Sequence, residues 1–298
     1  MLKLERILCP IDLTEDSERT IRYAIAIARV SGARLIVCHR LKSPNERQET
    51  LASVENLISE GQKFPSRVVH DPASIECEVV LIEGSDLREI ITREAKLRKV
   101  DLIFMRSRRR PLAAALLGST AEAVSREAPC PVLVMHADEV EWLDSSSGEI
   151  SLRNVLVGYD FSTYSQLALE YALTLAQQYR ARLHMLHVLP PPVTDQPEVA
   201  WVGQDTNTPY HNAARRLQEA VPPETHLWSN VKHAVKYGQP YEEILNYANE
   251  NEIDLIAMGA HGSGFGLHTL LGSNIDRVLR QARCPLLIAH PNEHSVAT

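Results

Sequence analysis

Short apolar runs and stretches of helical periodicity alternate along the whole chain. Arg6 to Ile11 is apolar enough for a buried strand, and Asp16 to Val30 follows with Ile21, Ile25 and Ala28 on one helical face, behind Thr14, Asp16 or Ser17 as the cap. Leu35 to His39 predicts a second strand, and Leu51, Val54, Leu57 and Ile58 predict a helix over Gln48 to Ser59. The pattern continues with a strand at Glu78 to Ile82, a helix at Leu87 to Leu97, a strand at Val100 to Met105, a helix at Ser119 to Glu127 and a strand at Pro131 to Met135. Strands that are nearly continuously apolar and separated by helices predict a parallel sheet covered on both faces.

The same pattern then runs a second time. A shift of 148 residues lays Ile7-Leu-Cys-Pro-Ile-Asp12 on Val155-Leu-Val-Gly-Tyr-Asp160 and Arg34-Leu-Ile-Val-Cys-His39 on Arg182-Leu-His-Met-Leu-His187. Further on, a shift of 154 lays Gly118-Ser119 on Gly272-Ser273 and Cys130-Pro-Val-Leu-Val-Met-His136 on Cys284-Pro-Leu-Leu-Ile-Ala-His290. The second copy has strands expected at Asn154 to Gly158, Leu183 to Val188, Lys232 to Lys236, Ile253 to Met258 and Leu286 to Ala289. Between the copies, Asp138 to Ser151 reads as a polar linker with no core pattern, and the proline-bearing stretch Pro190 to Gly203 as an ordered loop or lid. The expectation is an α/β chain of two tandem domains, residues 1–138 and 152–298, each an open five-stranded parallel sheet.

Composition agrees and narrows the function. At 298 residues the chain has room for two ordinary domains, and 44% hydrophobic with 23% charged residues describes a globular protein. No apolar run is long enough for a membrane span, and the start of the chain lacks the apolar core of a signal peptide, so a cytoplasmic location is expected. The net charge of −7 argues against general nucleic-acid binding. Cys9, Cys38, Cys77, Cys130 and Cys284 are scattered singly, which fits buried thiols better than disulfides or a zinc site. Nine of the twelve histidines lie in the second half, but His184 and His187 are three apart on a strand and point to opposite faces, so no functional metal site is expected.

The chemistry concentrates at Gly259-Ala-His-Gly262 and, nine residues later, Gly272-Ser273, a glycine-rich loop between a buried strand and a helix start. Such a loop brings backbone N–H groups and the positive end of a helix dipole to an anion; it is equally the form of a plain strand-to-helix turn. Ligands of open parallel sheets lie at the carboxyl ends of strands, where Asp160, Val188 and this loop all fall. The absence of Gly-x4-Gly-Lys-Ser/Thr and of Gly-x-Ser-x-Gly sets aside P-loop ATPases and α/β-hydrolases.

A strand ending in Asp, a Gly-x2-Gly-x9-Gly-Ser loop and a closing Cys-Pro-Leu strand together resemble the universal stress protein family, over essentially the whole chain as two tandem copies. The resemblance implies a Rossmann-like, adenine nucleotide alpha hydrolase-like fold for each copy, and ATP, or a related adenine nucleotide, in the second. Asp160 then contacts the nucleoside and the Val188 backbone recognises adenine; Gly259, His261 and Gly262 wrap ribose and phosphates, and Gly272, Ser273 and Asn274 receive the phosphates. Mg²⁺ would accompany ATP through its phosphate oxygens. The resemblance also implies that the last strands of the two copies pair within the chain, with a homodimer expected beyond that. No catalytic residues are assigned; the rival readings are a slow ATP hydrolase and a non-catalytic scaffold for another metabolite or lipid.

The first copy departs from the motif. Aligning the Asp-Leu-Ile-x-Met strand ends puts Arg106 and Arg109 at the positions of Gly259 and Gly262; counting back from Gly118 puts Met105 and Arg108 there. No glycine survives either way, so this copy is not expected to hold ATP in the family manner. The basic run Arg106 to Arg110 reads as a solvated or ion-paired face, or as a site for a different anion.

Overall fold

The computed structural model describes residues 4–63, 75–107, 119–136, 142–143, 150–191, 208–262 and 271–292. The first copy runs β1 (Arg6–Ile11), α1 (Glu15–Ser31), β2 (Arg34–Arg40), α2 (Arg47–Gln62), β3 (Cys77–Ile82), α3 (Leu87–Leu97), β4 (Leu102–Ser107), α4 (Ser119–Glu127) and β5 (Val132–His136). The second runs β6 (Asn154–Gly158), α5 (Thr163–Tyr179), β7 (Arg182–Leu189), α6 (Pro209–Ala220), β8 (Val231–Tyr237), α7 (Pro240–Glu250), β9 (Leu255–Gly259), α8 (Ser273–Gln281) and β10 (Leu286–Ala289). The lid stretch from residue 192 onward, Gly118 and the arginines 108–110 lie outside the described residues.

These strands form one ten-stranded sheet in the order β3-β2-β1-β4-β5-β10-β9-β6-β7-β8. Within each copy every pairing is parallel; the seam is the antiparallel pair β5–β10, with Leu287 opposite Leu133. Alternate residues of each strand enter two separate cores, because side chains of a strand point to opposite faces. Ile7, Leu35, Leu102, Val155 and Leu255 lie on the face covered by α1, α2, α5 and α6. Leu8, Ile36, Ile103, Leu156 and Ile256 lie on the face covered by α3, α4, α7 and α8.

The duplication extends to local geometry that sequence shifts do not display. The Asp101 carboxylate accepts the N–H groups of Glu5 and Arg6, both at 2.9 Å, at the start of β1. The Asp254 carboxylate does the same for Arg153 and Asn154, at 2.8 and 2.7 Å, at the start of β6. Leu13 and Phe161, each one residue past the aspartate that follows the first strand, both take left-handed backbone angles, φ 55° and 63°. α1 ends at Gly32 (φ 67°) and α5 at its counterpart Arg180 (φ 54°), both left-handed caps.

The stretch between the copies is not the coreless linker its composition suggests. Trp142 is 4% exposed, edge-on to Tyr23 at 6.4 Å, and its indole N–H donates to the Asp254 carbonyl at 2.9 Å. The Tyr23 hydroxyl accepts the N–H groups of Trp142 and Leu143 at 2.9 and 3.2 Å, and Leu143 forms an antiparallel bridge with Ile150. A single tryptophan among acidic residues carries no periodicity, so the local pattern could not reveal that it is a core residue. The polar-linker expectation is corrected for these positions.

Candidate functional site

In the second copy the strand order reverses between β6 and β9, so their carboxyl ends part to form a crevice. A cavity of about 650 Å³ occupies it, and all eight residues singled out from the sequence line it: Asp160, Val188, Gly259, His261, Gly262, Gly272, Ser273 and Asn274. They come from four separate segments, after β6, on β7, after β9 and at the start of α8. Apolar side chains of Leu186, Ile244, Met258 and Leu271 form part of the wall.

Asp160 is placed by the first turn of α5. The Ser162 N–H and hydroxyl donate to its Oδ1 at 3.1 and 2.5 Å, and Ser162 Oγ in turn accepts the Ser165 N–H at 3.1 Å as the cap of the helix. The left-handed turn at Phe161 lets the chain reverse between strand and helix. The sequence reading missed Ser162 and Ser165. Their signal is present twice, since Asp160-x-Ser-x-x-Ser165 repeats Asp12-x-Thr-x-x-Ser17, where Asp12 Oδ1 accepts the Thr14 and Ser17 hydroxyls at 2.6 and 3.2 Å.

Val188 is presented by a difference in strand length. β6 ends at Gly158, opposite Leu186, and the Leu186 carbonyl accepts the Tyr159 N–H at 2.9 Å. Two residues on, Val188 points its N–H and C=O to the same side, where β6 has ended and the cavity begins. His187, between them, faces the other way and bonds the Tyr159 carbonyl through Nδ1 at 2.8 Å.

The three glycines are there for different reasons. A Cβ at Gly259 would lie 2.6 Å from the Tyr164 backbone, so this glycine is required by the close approach of β9 to α5. A Cβ at Gly262 would lie 2.9 Å from Asp160 Oδ2, so the loop and the carboxylate share one space. A Cβ at Gly272 would meet nothing closer than 3.7 Å. None of the described residues excludes a side chain there. Gly272 is the N-cap of α8 and offers no side chain to the helix start, whose first residues, Ser273 and Asn274, border the cavity. His261 packs edge-on against the Tyr164 ring at 4.9 Å.

The first copy solves the same position differently. Arg106 stands where Gly259 stands, and its guanidinium binds the Asp16 carboxylate at 2.8 Å; Asp16 is the counterpart of Tyr164. A glycine that admits a backbone has been exchanged for a cation that holds a carboxylate at the same helix start. Arg106 is therefore ion-paired, and its guanidinium side chain is only 12% exposed. Arg108 and Arg109 lie outside the described residues.

The other histidines of the second copy have structural surroundings. His184 is buried with Nδ1 3.1 Å from the Tyr247 hydroxyl, and burial, with Lys232 and Arg182 adding to it, pushes its pKa down to about 4. His290 is buried at the seam and donates from Nε2 to the Ser125 carbonyl at 2.8 Å; burial lowers its pKa to about 4, with His261 adding to the shift and the Ser125 bond opposing it. Among the described residues, no group of three His, Cys, Asp or Glu side chains is arranged as a metal site, and no helix is long and apolar enough to cross a membrane.

Known proteins of similar sequence and shape bear on this geometry. The profile of the universal stress protein family matches residues 3–136 and again 151–290. Universal stress protein Rv2005c of Mycobacterium tuberculosis is 28% identical over 72% of this chain and 69% of its own length. A universal stress protein of Mycolicibacterium smegmatis is 24% identical over 96% of this chain and 97% of its own. Among solved structures, a universal stress protein from Archaeoglobus fulgidus superposes with a TM-score of 0.70 at 24% identity, covering 97% of this chain and 99% of its own. A protein of unknown function from Pseudomonas aeruginosa superposes with a TM-score of 0.72 at 18% identity, covering 97% and 94%. The two profile matches, one to each half of a sheet that neighbours of this shape share from end to end, mean that the chain belongs to the universal stress protein family and carries its domain twice.

Proposed function

We propose that the second copy binds ATP or a related adenine nucleotide, and that the protein acts as a nucleotide-responsive regulatory or protective module in a stress response. The observation that carries this reading is Gly272. As the N-cap it places no side chain over the start of α8, which borders a 650 Å³ cavity, although none of the described residues forbids one there. An open helix N-terminus is a phosphate site in both its hydrogen-bonding groups and its dipole.

The remaining lining supplies the rest of a nucleotide site. The Val188 backbone offers one donor and one acceptor beside apolar Ile244 and Met258, which suits the edge and face of a purine. Asp160, held from below by Ser162, offers its outer oxygen to ribose hydroxyls. Gly259 and Gly262 let the loop pass close to the sugar. If Mg²⁺ enters, it does so on the phosphates, since among the described residues the lining holds one carboxylate and no ready-made metal cage. The first copy, with Arg106 closing the position of Gly259 against Asp16, holds no nucleotide in this manner. We assign the copies as 1–138 and 152–298, place the protein in the cytoplasm and expect it to form a homodimer.

The test is calorimetric titration of ATP into the full chain and into a Gly262→Arg variant, which places in the second copy the kind of side chain found in the first. Binding of one nucleotide per chain is expected, weakened at least about tenfold in the variant, a loss of about 1.4 kcal/mol. Two nucleotides per chain, or undiminished binding in Gly262→Arg, would count against the asymmetric reading.

A further inference from the structure

The first copy keeps the framework of the crevice and changes its chemistry. β1 and β2 pair in the same register as β6 and β7, so Arg40 and Lys42 stand where Val188 and Pro190 line the cavity of the second copy. The turn beyond the next strand is repeated too. Gly84 and Gly238 lie two residues past the partners of Arg40 and Val188, and both take positive φ, 129° and 153°. Between the carboxyl ends of β2 and β3 lies an open hollow of about 450 Å³, lined from one side by Arg40, Lys42 and Ser43 and from the other by Glu83, Gly84 and Ser85. Where the second copy sets Val188 beside Ile244, the first presents a guanidinium and an ammonium group.

These groups suit a phosphate. The planar guanidinium matches two oxygens of one tetrahedral anion with parallel N–H donors, and the ammonium adds a compact charge for a third. Ser43 Oγ accepts the Asn45 N–H at 3.4 Å, which leaves its own O–H to donate, and the Ser85 hydroxyl stands across the hollow. The carboxylate in the lining, Glu83, has Arg47 4.0 Å away, so a third cation offsets it. Asp12, whose Oδ1 accepts the Thr14 and Ser17 hydroxyls, does not line the hollow. The volume lies in the range of small-molecule sites, roughly 300–1,000 Å³, and so has room for a carrier as well as its phosphate. With charged and hydroxyl groups in place of an apolar wall, the fitting carrier is a small hydroxylated skeleton and not a flat base.

We propose that this hollow of the first copy binds a small phosphomonoester, its phosphate held by Arg40 and Lys42. The experiment is calorimetric titration of glycerol 3-phosphate, inorganic phosphate and glycerol into the full chain and into Arg40→Gln and Lys42→Gln variants, at low ionic strength because salt screens exposed charges. One glycerol 3-phosphate per chain is expected, weakened at least about tenfold in each variant, since each removes a charge-assisted hydrogen bond. Inorganic phosphate should bind more weakly than the ester, and glycerol not measurably. Both substitutions lie at the surface, and urea midpoints unchanged from the natural chain would show that the variants are folded. Glycerol 3-phosphate bound undiminished by both variants overturns the assignment to this hollow. Inorganic phosphate bound as tightly as the ester overturns the phosphomonoester, and binding of neither anion overturns the site itself.

Discussion

Ser162 performs two tasks at once: it caps α5 and holds the carboxylate of Asp160 in the cavity wall. Ser162→Ala should cost about 1 kcal/mol of stability, the usual worth of an N-cap, as read by urea denaturation. It should also weaken adenine nucleotide binding, because the inner oxygen of Asp160 loses the Ser162 hydroxyl and keeps the weaker bond from the Ser162 N–H. A variant that loses the stability but binds ATP unchanged would show that Asp160 does not touch the nucleoside. The eight lining residues were legible in the sequence because the loop, the strand end and the helix start are local patterns and because their resemblance to the family's motif implied the rest. The reasons for them were not: that Gly259 answers to the Tyr164 backbone and Gly262 to Asp160 depends on contacts across roughly a hundred residues of chain, which no local spacing encodes.

At the scale of elements, helix and strand positions follow the sequence pattern closely. α3 and α4 span the expected residues, and β6 does too, since their apolar spacing and flanking caps point to one answer. α2 runs further than its apolar face, from Arg47 to Gln62, because a short 3-10 turn at Pro44–Glu46 leads straight into it. The element that could not be read is the inter-copy segment around Trp142. Trp142→Ala removes a buried indole and its bond to the Asp254 carbonyl, and should cost about 3–5 kcal/mol by urea denaturation, the range for buried aromatic truncations. Tyr23→Phe, which strands two backbone N–H groups, should cost about 1–3 kcal/mol. If Trp142→Ala costs less than about 1 kcal/mol, the segment does not belong to the core.

The whole molecule is held at the seam by more than β5–β10. Arg280 on α8 bridges Glu122 on α4 at 2.9 Å, and Asn292 donates to Asp101 at 3.1 Å, while Trp142 grips Asp254, the counterpart of Asp101. His290 joins this set through the Ser125 carbonyl, and its titration is linked to folding. Its folded pKa of about 4, like that of His184, lies below the ordinary value, so above about pH 6.5 both states are neutral and stability is independent of these groups. As pH falls from 6.5 toward 4 the unfolded chain takes up protons that the folded chain refuses, and each histidine removes up to about 1.4 kcal/mol per pH unit. Urea midpoints are expected to fall between pH 6.5 and 5, and His290→Gln, which keeps a donor for Ser125, should flatten that limb. An equally steep limb in the variant would place the acid sensitivity elsewhere.

By itself the sequence determined the alternation of strands and helices, the duplication, and the asymmetry between a glycine loop and its arginine-bearing twin. All three are local patterns or comparisons of one segment with another. The tertiary structure alone decided that Trp142 is core, that Gly259 answers to the Tyr164 backbone and that Ser162 steadies Asp160. Each of these depends on which segments meet in space, and the hydrogen-bonding partner of a strand edge or the neighbour of a lone side chain leaves no periodic trace along the chain.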